Sequence, residues 1–229
     1  MAPDDIITML SPSRYSGRHG FGVDTIILHY TAGRGNAIAA ARVFANPSRK
    51  ASAHFVIGRD GGVVQCVNLP DGAWHAGDKG LSRLPPALMF SDKTEFVELQ
   101  HAPHIRRSVN CRSIGIELCN RGWAPRGANP YVAGKHPGVK SELWESYSDQ
   151  QIEALQKIIR ECRVARPTLR FICGHEDVTN NHTLDEPGID RVGGKSDPGP
   201  AFPWERLRGC GLRRLRYDYH RRGWAVEKL

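Results

Sequence analysis

Short apolar runs, separated by polar and helical segments, constrain the fold of this chain most strongly. They lie at residues 24–29, 53–67, 113–118 and 169–173. Runs of this kind are typical of buried strands, because a buried helix needs a longer apolar pattern. Strands that alternate with helices favour one α/β domain, and we predict a single domain with a central mixed β-sheet flanked by helices.

The second run contains a turn signal. Asp60-Gly61-Gly62 separates residues 53–59 from residues 62–67. A tight turn between two strands needs positive φ angles, which Asp and Gly adopt more readily than other residues. These two segments are therefore expected to pair as a β-hairpin.

Two segments carry the signals of helices. An alanine-rich helix is predicted over about 36–45, ending before Pro47. The strongest helix signal covers 148–163, where Ser148 can cap the first turn and Gln151 occupies the capping-box position. An apolar stripe at helical spacing is expected to face the sheet. It consists of Ile152, Leu155, Ile158 and Ile159.

Two long polar stretches, residues 78–110 and 120–147, interrupt this pattern. The first contains Pro85-Pro86 and has weak periodicity, and most of the second is rich in Gly, Pro and Asn. Loops of this length inside a compact domain usually serve a function. We therefore expect insertions without regular structure that border a substrate groove.

Much of the basic charge lies at one end of the chain. The net charge is +8, the pI is about 9.4, and residues 205–229 hold seven Arg and one Lys against three acids. We expect residues 209–229 to form a basic C-terminal tail. Two roles stay open for this tail: a helix packed on the domain, or a dispensable segment that contacts an anionic wall or membrane surface. Because no base-reading motif is present, we do not expect nucleic acid as a partner.

The remaining composition argues against several classes of protein. No apolar run approaches the roughly 20 residues that cross a bilayer. Residues 1–16 carry Asp4 and Asp5 and lack an apolar core, so we expect no signal peptide and a cytoplasmic location as synthesised. The six cysteines form no C-x-x-C pair, and we expect them to be reduced and mostly buried.

Polar residues stand at the ends of the predicted strands. His29 ends the first run, Glu117 lies near the end of the third, and His175 follows the fourth. Asp197 lies in the turn-like segment 195–199. Two histidines and a carboxylate can bind Zn²⁺ and leave a fourth position for water.

Spacing alone does not select these residues. The chain has ten histidines, of which His54, His75 and His182 would compete as ligands. A histidine after a strand is often structural, Glu117 could face solvent on an edge strand, and residues 195–199 alone make a good turn. From the residues themselves, a zinc site is one of several interpretations.

Six motifs narrow the choice because they occur together and in one order. The chain resembles the type-2 N-acetylmuramoyl-L-alanine amidases, the superfamily that includes the peptidoglycan-recognition proteins, over roughly residues 22–208. The motifs are His29-Tyr-Thr-Ala-Gly33, Ala53-His-Phe-Val-Ile57, Ala73-Trp-His-Ala-Gly77, Ser113-Ile-Gly-Ile-Glu-Leu118, Gly174-His-Glu-Asp177 and Lys195-Ser-Asp-Pro-Gly-Pro-Ala-Phe-Pro-Trp204.

The resemblance implies a role for individual residues. It makes His29, His175 and Asp197 the ligands of one Zn²⁺ per chain. It makes Glu117 the general acid and base, and Lys195 the cation beside the reacting carbonyl. The residues in matching motifs that would contact substrate are Tyr30, His54, Trp74 and His75.

The third ligand position distinguishes branches of the superfamily. Part of the superfamily has Cys there, whereas Asp197 resembles the cytosolic recycling amidases and their phage and secreted relatives. The segment between His175 and Lys195 is longer than in the small relatives. His182 or Asp185 in that segment could therefore reach the metal, although a surface loop is the stronger expectation.

The resemblance also implies a domain organisation and an activity. Residues 1–208 would form a zinc amidase catalytic domain, with 78–110 and 120–147 as insertions. The expected reaction is hydrolysis of the amide bond between N-acetylmuramic acid and L-alanine, and the expected partners are peptidoglycan or muropeptides. A binding module without activity is an alternative, but all three ligand positions and both catalytic positions are present, which argues against it.

Two settings for this activity compete. The long insertions and the basic tail favour a lytic, endolysin-type enzyme that reaches the cell wall by a separate export or permeabilising route. The alternative is a cytosolic recycling amidase that acts on soluble 1,6-anhydro-muropeptides. Lack of a signal peptide is compatible with both.

Overall fold

The computed structural model describes residues 6–18, 21–77, 84–85, 96–98, 109–124, 131–134, 143–179, 195–218, 221 and 223–229. The strands are β1 (Ile7–Thr8), β2 (Arg14–Tyr15), β3 (Thr25–Tyr30), β4 (Phe55–Ile57), β5 (Val63–Gln65), β6 (Gly72–Ala73), β7 (Phe96–Glu98), β8 (Ser113–Leu118), β9 (Trp123–Ala124), β10 (Tyr131–Ala133), β11 (Leu143–Glu145), β12 (Phe171–Gly174), β13 (Arg213–Asp218) and β14 (Gly223–Lys228). The helices are α1 (Ala37–Ala45), α2 (Val109–Arg112), α3 (Asp149–Ala165) and α4 (His175–Thr179), with a 3-10 turn at Trp204–Leu207.

A mixed sheet lies at the centre of the fold, as predicted. Within the described ranges it has nine strands in the order β1-β5-β4-β8-β3-β12-β13-β14-β7. The strands from β4 to β13 in this order run parallel, whereas β4 with β5 and β13 with β14 form antiparallel pairs. Small sheets of three strands and of two strands lie outside it.

Side chains on the two faces of the central strands contribute to two separate hydrophobic cores. Ile26 and Leu28 of β3 pack with α3 on one face of the sheet, whereas Ile27 packs on the other face with β12 and β13. This alternation is the period of two that a strand buried on both faces shows. The predicted runs at 24–29, 113–118 and 169–173 correspond to β3, β8 and β12.

The predicted hairpin and the alanine-rich helix are both confirmed. β4 and β5 pair antiparallel, and Gly61 in their turn has a φ of +80°. Helix α1 begins after Asn36, whose side chain accepts a hydrogen bond from the Ala39 N–H at 2.9 Å. Side-chain acceptors of this kind satisfy N–H groups that the first helical turn leaves unpaired.

Helix α3 follows the prediction except at its capping box. Ser148 Oγ accepts from the Gln151 N–H at 3.1 Å, and the predicted apolar stripe is buried. The Gln151 side chain does not return to the cap. It donates to the carbonyls of Ile57 and Cys119, at 3.0 and 3.2 Å. The buried amide N–H groups thus connect the helix to the ends of β4 and β8 and pair two carbonyls there.

The C-terminal tail is an integral part of the central sheet, and the prediction of a helix there is wrong. Strands β13 and β14 form a hairpin beside β12, and their inward side chains are buried. Tyr217 and Trp224 are 2% and 0% exposed. The sequence interleaves basic and apolar residues in this segment because alternate positions of a strand face opposite sides.

The basic side chains of this hairpin are partly neutralised. Arg214 and Arg216 both pair with Glu227, at 3.5 and 3.0 Å, and the Arg214 guanidinium also lies 4.1 Å from the centre of the Trp204 ring. The residues predicted as a dispensable tail therefore form two paired strands of the central sheet.

The two predicted insertions contain more regular structure than a loop. In 120–147, strands β9, β10 and β11 form a three-stranded antiparallel sheet. In 78–110, strand β7 pairs with β14 at the edge of the central sheet, and α2 leads into β8. The remaining parts of both segments lie outside the described residues, as do His182 and Asp185.

The cysteines and the helices can also be compared with what the sequence predicted. All six cysteines are free, five of them are buried, and burial raises the pKa of Cys66 and of Cys162 to about 12. Among the described residues, no helix is long and apolar enough to cross a membrane.

Candidate metal centre and active site

Three parallel strands bring the first site residues together at one edge of the sheet. β3 pairs with β8 so that His29 lies directly opposite Glu117. β3 pairs with β12 so that Leu28 lies opposite Gly174, and His175 is the next residue. Because the strands are parallel, their carboxyl ends coincide, which is where open α/β sheets place ligand sites.

Asp197 reaches the same edge from the segment that precedes the 3-10 turn. The Glu176 N–H donates to the Asp197 carbonyl at 3.1 Å, which ties this segment to helix α4. The Tyr147 hydroxyl donates to the Pro198 carbonyl at 2.7 Å. These bonds hold the Asp197 carboxylate beside the two histidines.

The three predicted ligands converge on one point. His29 Nδ1, His175 Nδ1 and Asp197 Oδ2 form a triangle in which each pair of atoms is 3.0 Å apart. All three side chains are buried. Among the described residues this is the group of His, Cys, Asp or Glu that could hold a metal ion.

Hydrogen bonds alone do not satisfy this triangle. If both rings donated to the carboxylate, their two N–H groups would face each other across 3.0 Å. A cation removes the conflict, because all three atoms can then present lone pairs to it. The separations are close to the roughly 3.3 Å between ligand atoms of a tetrahedral zinc site with bonds of about 2.0–2.1 Å. The residues therefore fit Zn²⁺.

The protonation states also suit a metal. Burial, together with the neighbouring His175, lowers the pKa of His29 to about 4, so the ring is neutral near pH 7. Burial alone would raise the pKa of Asp197, but His175 and His29 more than offset it and hold this pKa well below its ordinary value. A metal site needs neutral imidazole ligands and ionised carboxylate ligands, and the pKa shifts of His29 and Asp197 are in these directions.

Glu117 faces the same region and has the properties of a proton carrier. Burial and the Asp197 charge raise the pKa of Glu117 to about 8, while the Lys195 charge lowers it. Its Oε2 atom is buried and has no hydrogen-bond partner among the described residues. A nearby dication would lower this pKa towards neutrality, where a general base is most effective. Lys195 itself is exposed.

Of the four predicted substrate residues, Tyr30 lies in the site region, where it lines one groove with Glu117. Tyr30 is half-buried, and its hydroxyl lies 2.5 Å from Ser196 Oγ. Trp74 is half-buried and packs on the Tyr15 ring, with the ring centres 4.8 Å apart. Both stay candidates for substrate contact.

The other two, His54 and His75, are each close to a hydrogen-bonding group of the protein. His54 is fully buried, and its Nδ1 accepts from the Gly115 N–H at 3.1 Å, so its ring is held within the domain by a backbone group. His75 lies next to His29, with Nδ1 3.0 Å from His29 Nε2. Burial and the neighbouring His29 hold the pKa of His75 well below its ordinary value, so this ring is neutral.

The sequence predicted a substrate groove bordered by the insertions, whereas the groove observed beside the site lies against helix α1. It has a volume of about 390 Å³ and a mostly apolar lining, and it extends from Glu117 along helix α1. Ala39 and Val43 are four residues apart on that helix and therefore share a face, and Val43 is 49% exposed. This exposed apolar pair was the signal in the sequence that could have located the groove.

The comparison with known sequences decides the family. The profile of the N-acetylmuramoyl-L-alanine amidase family matches residues 19–200 of the 229 in the chain. The chain belongs to this amidase family. The matched region contains all three residues of the triangle, His29, His175 and Asp197.

Two curated proteins illustrate the relationship. The chain is 26% identical over 202 residues to N-acetylmuramoyl-L-alanine amidase AmiD of Escherichia coli, covering 83% of this chain and 54% of AmiD. It is 27% identical over 160 residues to 1,6-anhydro-N-acetylmuramyl-L-alanine amidase AmpD of Salmonella typhimurium, covering 69% of this chain and 56% of AmpD. The chain thus spans about half the length of the curated relatives it matches.

A solved structure of AmpD shares the fold. A selenomethionine crystal structure superposes with a TM-score of 0.54 and 21% identity, covering 90% of this chain and 94% of that one. At this identity the likeness supports the fold alone.

Proposed function

We propose that this chain is a zinc-dependent amidase that hydrolyses the bond between N-acetylmuramic acid and L-alanine in soluble 1,6-anhydro-muropeptides. The observation that carries the proposal is the convergence of His29, His175 and Asp197 within 3.0 Å of one another, with Glu117 opposite His29 on the neighbouring strand. A complete ligand set beside a buried carboxylate supports an enzyme over a binding module.

The protein side chains divide the work of the reaction. His29, His175 and Asp197 would hold a zinc ion, which would supply Lewis acidity for the scissile carbonyl and the attacking water. Glu117 would take the proton of the attacking water and deliver it to the leaving amine of L-alanine. The Lys195 ammonium would stabilise the negative charge that develops on the carbonyl oxygen.

The groove supplies binding energy next to this machinery. It contains Glu117 at one end and the Ala39–Val43 face of α1 along its wall. An apolar wall with few polar groups suits the methyl groups and the sugar face near the scissile amide of a muropeptide.

The choice of soluble fragments over polymeric wall rests on two observations. One of the two features that favoured a lytic enzyme, the basic tail, is a pair of sheet strands in which Arg214 and Arg216 share Glu227. The relative AmpD is named for the 1,6-anhydro form of the substrate. Both support the recycling alternative over the lytic one.

A direct substrate comparison tests this choice. We expect the purified chain to release L-alanine-containing peptide from soluble anhydro-muropeptides much faster than from intact sacculi at equal amide concentration. As a control, sacculi are first solubilised by a lytic transglycosylase. This control shows whether slow cleavage of intact sacculi is due to poor access to the amide bond or to slow hydrolysis of that bond. Equal rates on intact sacculi would contradict the substrate proposal and favour the lytic enzyme, while no amide cleavage in any substrate would refute the amidase.

Replacement of Glu117 tests the proton carrier. In Glu117→Gln the side chain keeps its size but cannot accept a proton, so turnover should fall by roughly 10²–10⁴-fold. Zinc content and muropeptide affinity should stay close to those of the unmodified chain. Near-normal turnover would show that the proton is carried by another group.

Replacement of Lys195 tests the oxyanion contact. Lys195→Ala should lower turnover on the order of 10²–10³-fold, the loss that follows removal of one oxyanion donor. Lys195→Arg, which retains the charge, should recover part of the rate. A change in KM alone would assign Lys195 to ground-state binding instead.

A further inference from the structure

A series of buried hydrogen bonds leads from the metal ligand His29 to a backbone carbonyl. His29 Nε2 lies 3.0 Å from His75 Nδ1, and His75 Nε2 lies 3.0 Å from Ser113 Oγ. Ser113 Oγ in turn lies 2.5 Å from the Val109 carbonyl. His75 and Ser113 belong to motifs of the sequence, but the proposed chemistry gives neither a role.

The Val109 carbonyl determines which atom donates and which accepts in each hydrogen bond of this series. The Val109 carbonyl can only accept, so the single hydroxyl proton of Ser113 must point to it. Ser113 Oγ is then an acceptor towards His75, which places the proton of the His75 ring on Nε2. His75 Nδ1 is left with a lone pair, which can only accept the proton from His29 Nε2.

The direction matters because two acceptors compete for the one proton of the His29 ring. Asp197 Oδ2 lies 3.0 Å from His29 Nδ1 and would draw the proton to that atom. A proton on Nδ1 would block the atom that faces the other two ligands. The acceptor on His75 favours Nε2 instead and leaves the Nδ1 lone pair available.

We propose that His75, oriented by Ser113 and Val109, is a positioning residue that fixes the His29 tautomer in which Nδ1 binds the metal. The proposal rests on the metal centre proposed above. It assigns His75 no contact with substrate.

A glycine of the fourth motif holds the His75 ring in place. An ideal Cβ atom at Gly115 would lie only 2.4 Å from His75 Cγ, so any larger residue there would displace the ring. The ring centre of His75 lies 5.1 Å from that of His29, in an edge-on arrangement. Close packing on Gly115 therefore keeps Nδ1 aimed at His29.

Zinc affinity of two His75 variants tests the proposal without measuring hydrolysis. His75→Leu fills a similar volume but offers no acceptor, and it should weaken zinc binding by about 10- to 100-fold, the usual effect of losing an outer partner of a histidine ligand. His75→Asn carries an acceptor oxygen as many bonds from Cα as Nδ1, and it should recover most of the affinity. Competition with a chromophoric chelator measures both, and circular dichroism checks that both variants are folded.

Nitrogen NMR of the unmodified, zinc-loaded chain gives a second readout that does not depend on a variant. The proton of the His75 ring should be found on Nε2, and the His29 Nε2 proton should show coupling across its hydrogen bond to His75 Nδ1. A proton on His75 Nδ1, or wild-type zinc affinity in a folded His75→Leu chain, would overturn the assignment. Failure of the amidase proposal would be seen separately, as zinc binding without hydrolysis.

Discussion

Replacing Asp197 by asparagine is expected to remove zinc and to abolish detectable hydrolysis. The amide keeps the size of the carboxylate, but its oxygen carries no full negative charge and is a poor ligand for Zn²⁺. The loss of zinc affinity should exceed the about 10- to 100-fold that follows loss of an outer hydrogen bond to a ligand. Zinc content after dialysis and release of L-alanine peptide measure the two effects.

Stability should respond to the same change most strongly when metal is present. Zinc raises the free energy of unfolding by binding the folded state, and Asp197→Asn would lose this gain. A matched control is Asp60→Asn, which alters an exposed carboxylate in the β4–β5 turn and keeps its acceptor for the Gly62 N–H. Full zinc content in Asp197→Asn would show that the metal is held by other residues.

Removal of residues 209–229 is expected to prevent folding. The cut deletes β13 and β14, exposes the edge of β12, and removes buried apolar side chains from the second core. It also removes the Tyr217 N–H that donates to Asp177 at 3.0 Å, while the other oxygen of Asp177 accepts from the Gly174 N–H beside His175. Because domains are stable by only about 5–15 kcal/mol, the chain should lose its cooperative unfolding transition.

Two variants measure separately how a buried side chain and how surface charges of this hairpin contribute to the free energy of unfolding. Trp224→Ala deletes a fully buried indole and should cost roughly 3–5 kcal/mol in the free energy of unfolding. Arg216→Gln with Arg221→Gln removes two charges from exposed positions and should change that free energy by well under 1 kcal/mol. Urea unfolding measures both. If the chain without residues 209–229 folds and hydrolyses muropeptides, the hairpin is dispensable, as one of the sequence-based expectations held.

The parts of the fold set by local patterns were predictable from the sequence. The runs that became β3, β8 and β12 are apolar on both faces, and the caps of α1 and α3 have side-chain acceptors at the expected positions. The residues of the metal centre were identified by motif resemblance rather than by spacing. Their meeting depends on the parallel register of three strands far apart in the chain.

The parts set by long-range packing were not predictable. Residues 214–217 alternate arginine with apolar side chains, which is the period of a strand, but the run is too short to exclude a helix, and pairing with β12 decides between them. Gln151 matched a capping box, but two buried carbonyls from other strands take its amide. His54 and His75 were equivalent in the sequence, and their neighbours alone distinguish a buried framework residue from a partner of His29.

The most direct test of the zinc amidase is a joint measurement of metal content and hydrolysis through a cycle of chelation and reconstitution. We predict one zinc per chain, loss of hydrolysis of soluble anhydro-muropeptide when a chelator removes it, and recovery when one equivalent is returned. Asp60→Asn should follow the unmodified chain through the cycle, whereas Asp197→Asn should remain inactive and without metal. Full hydrolysis by the metal-free chain would contradict the zinc-dependent mechanism.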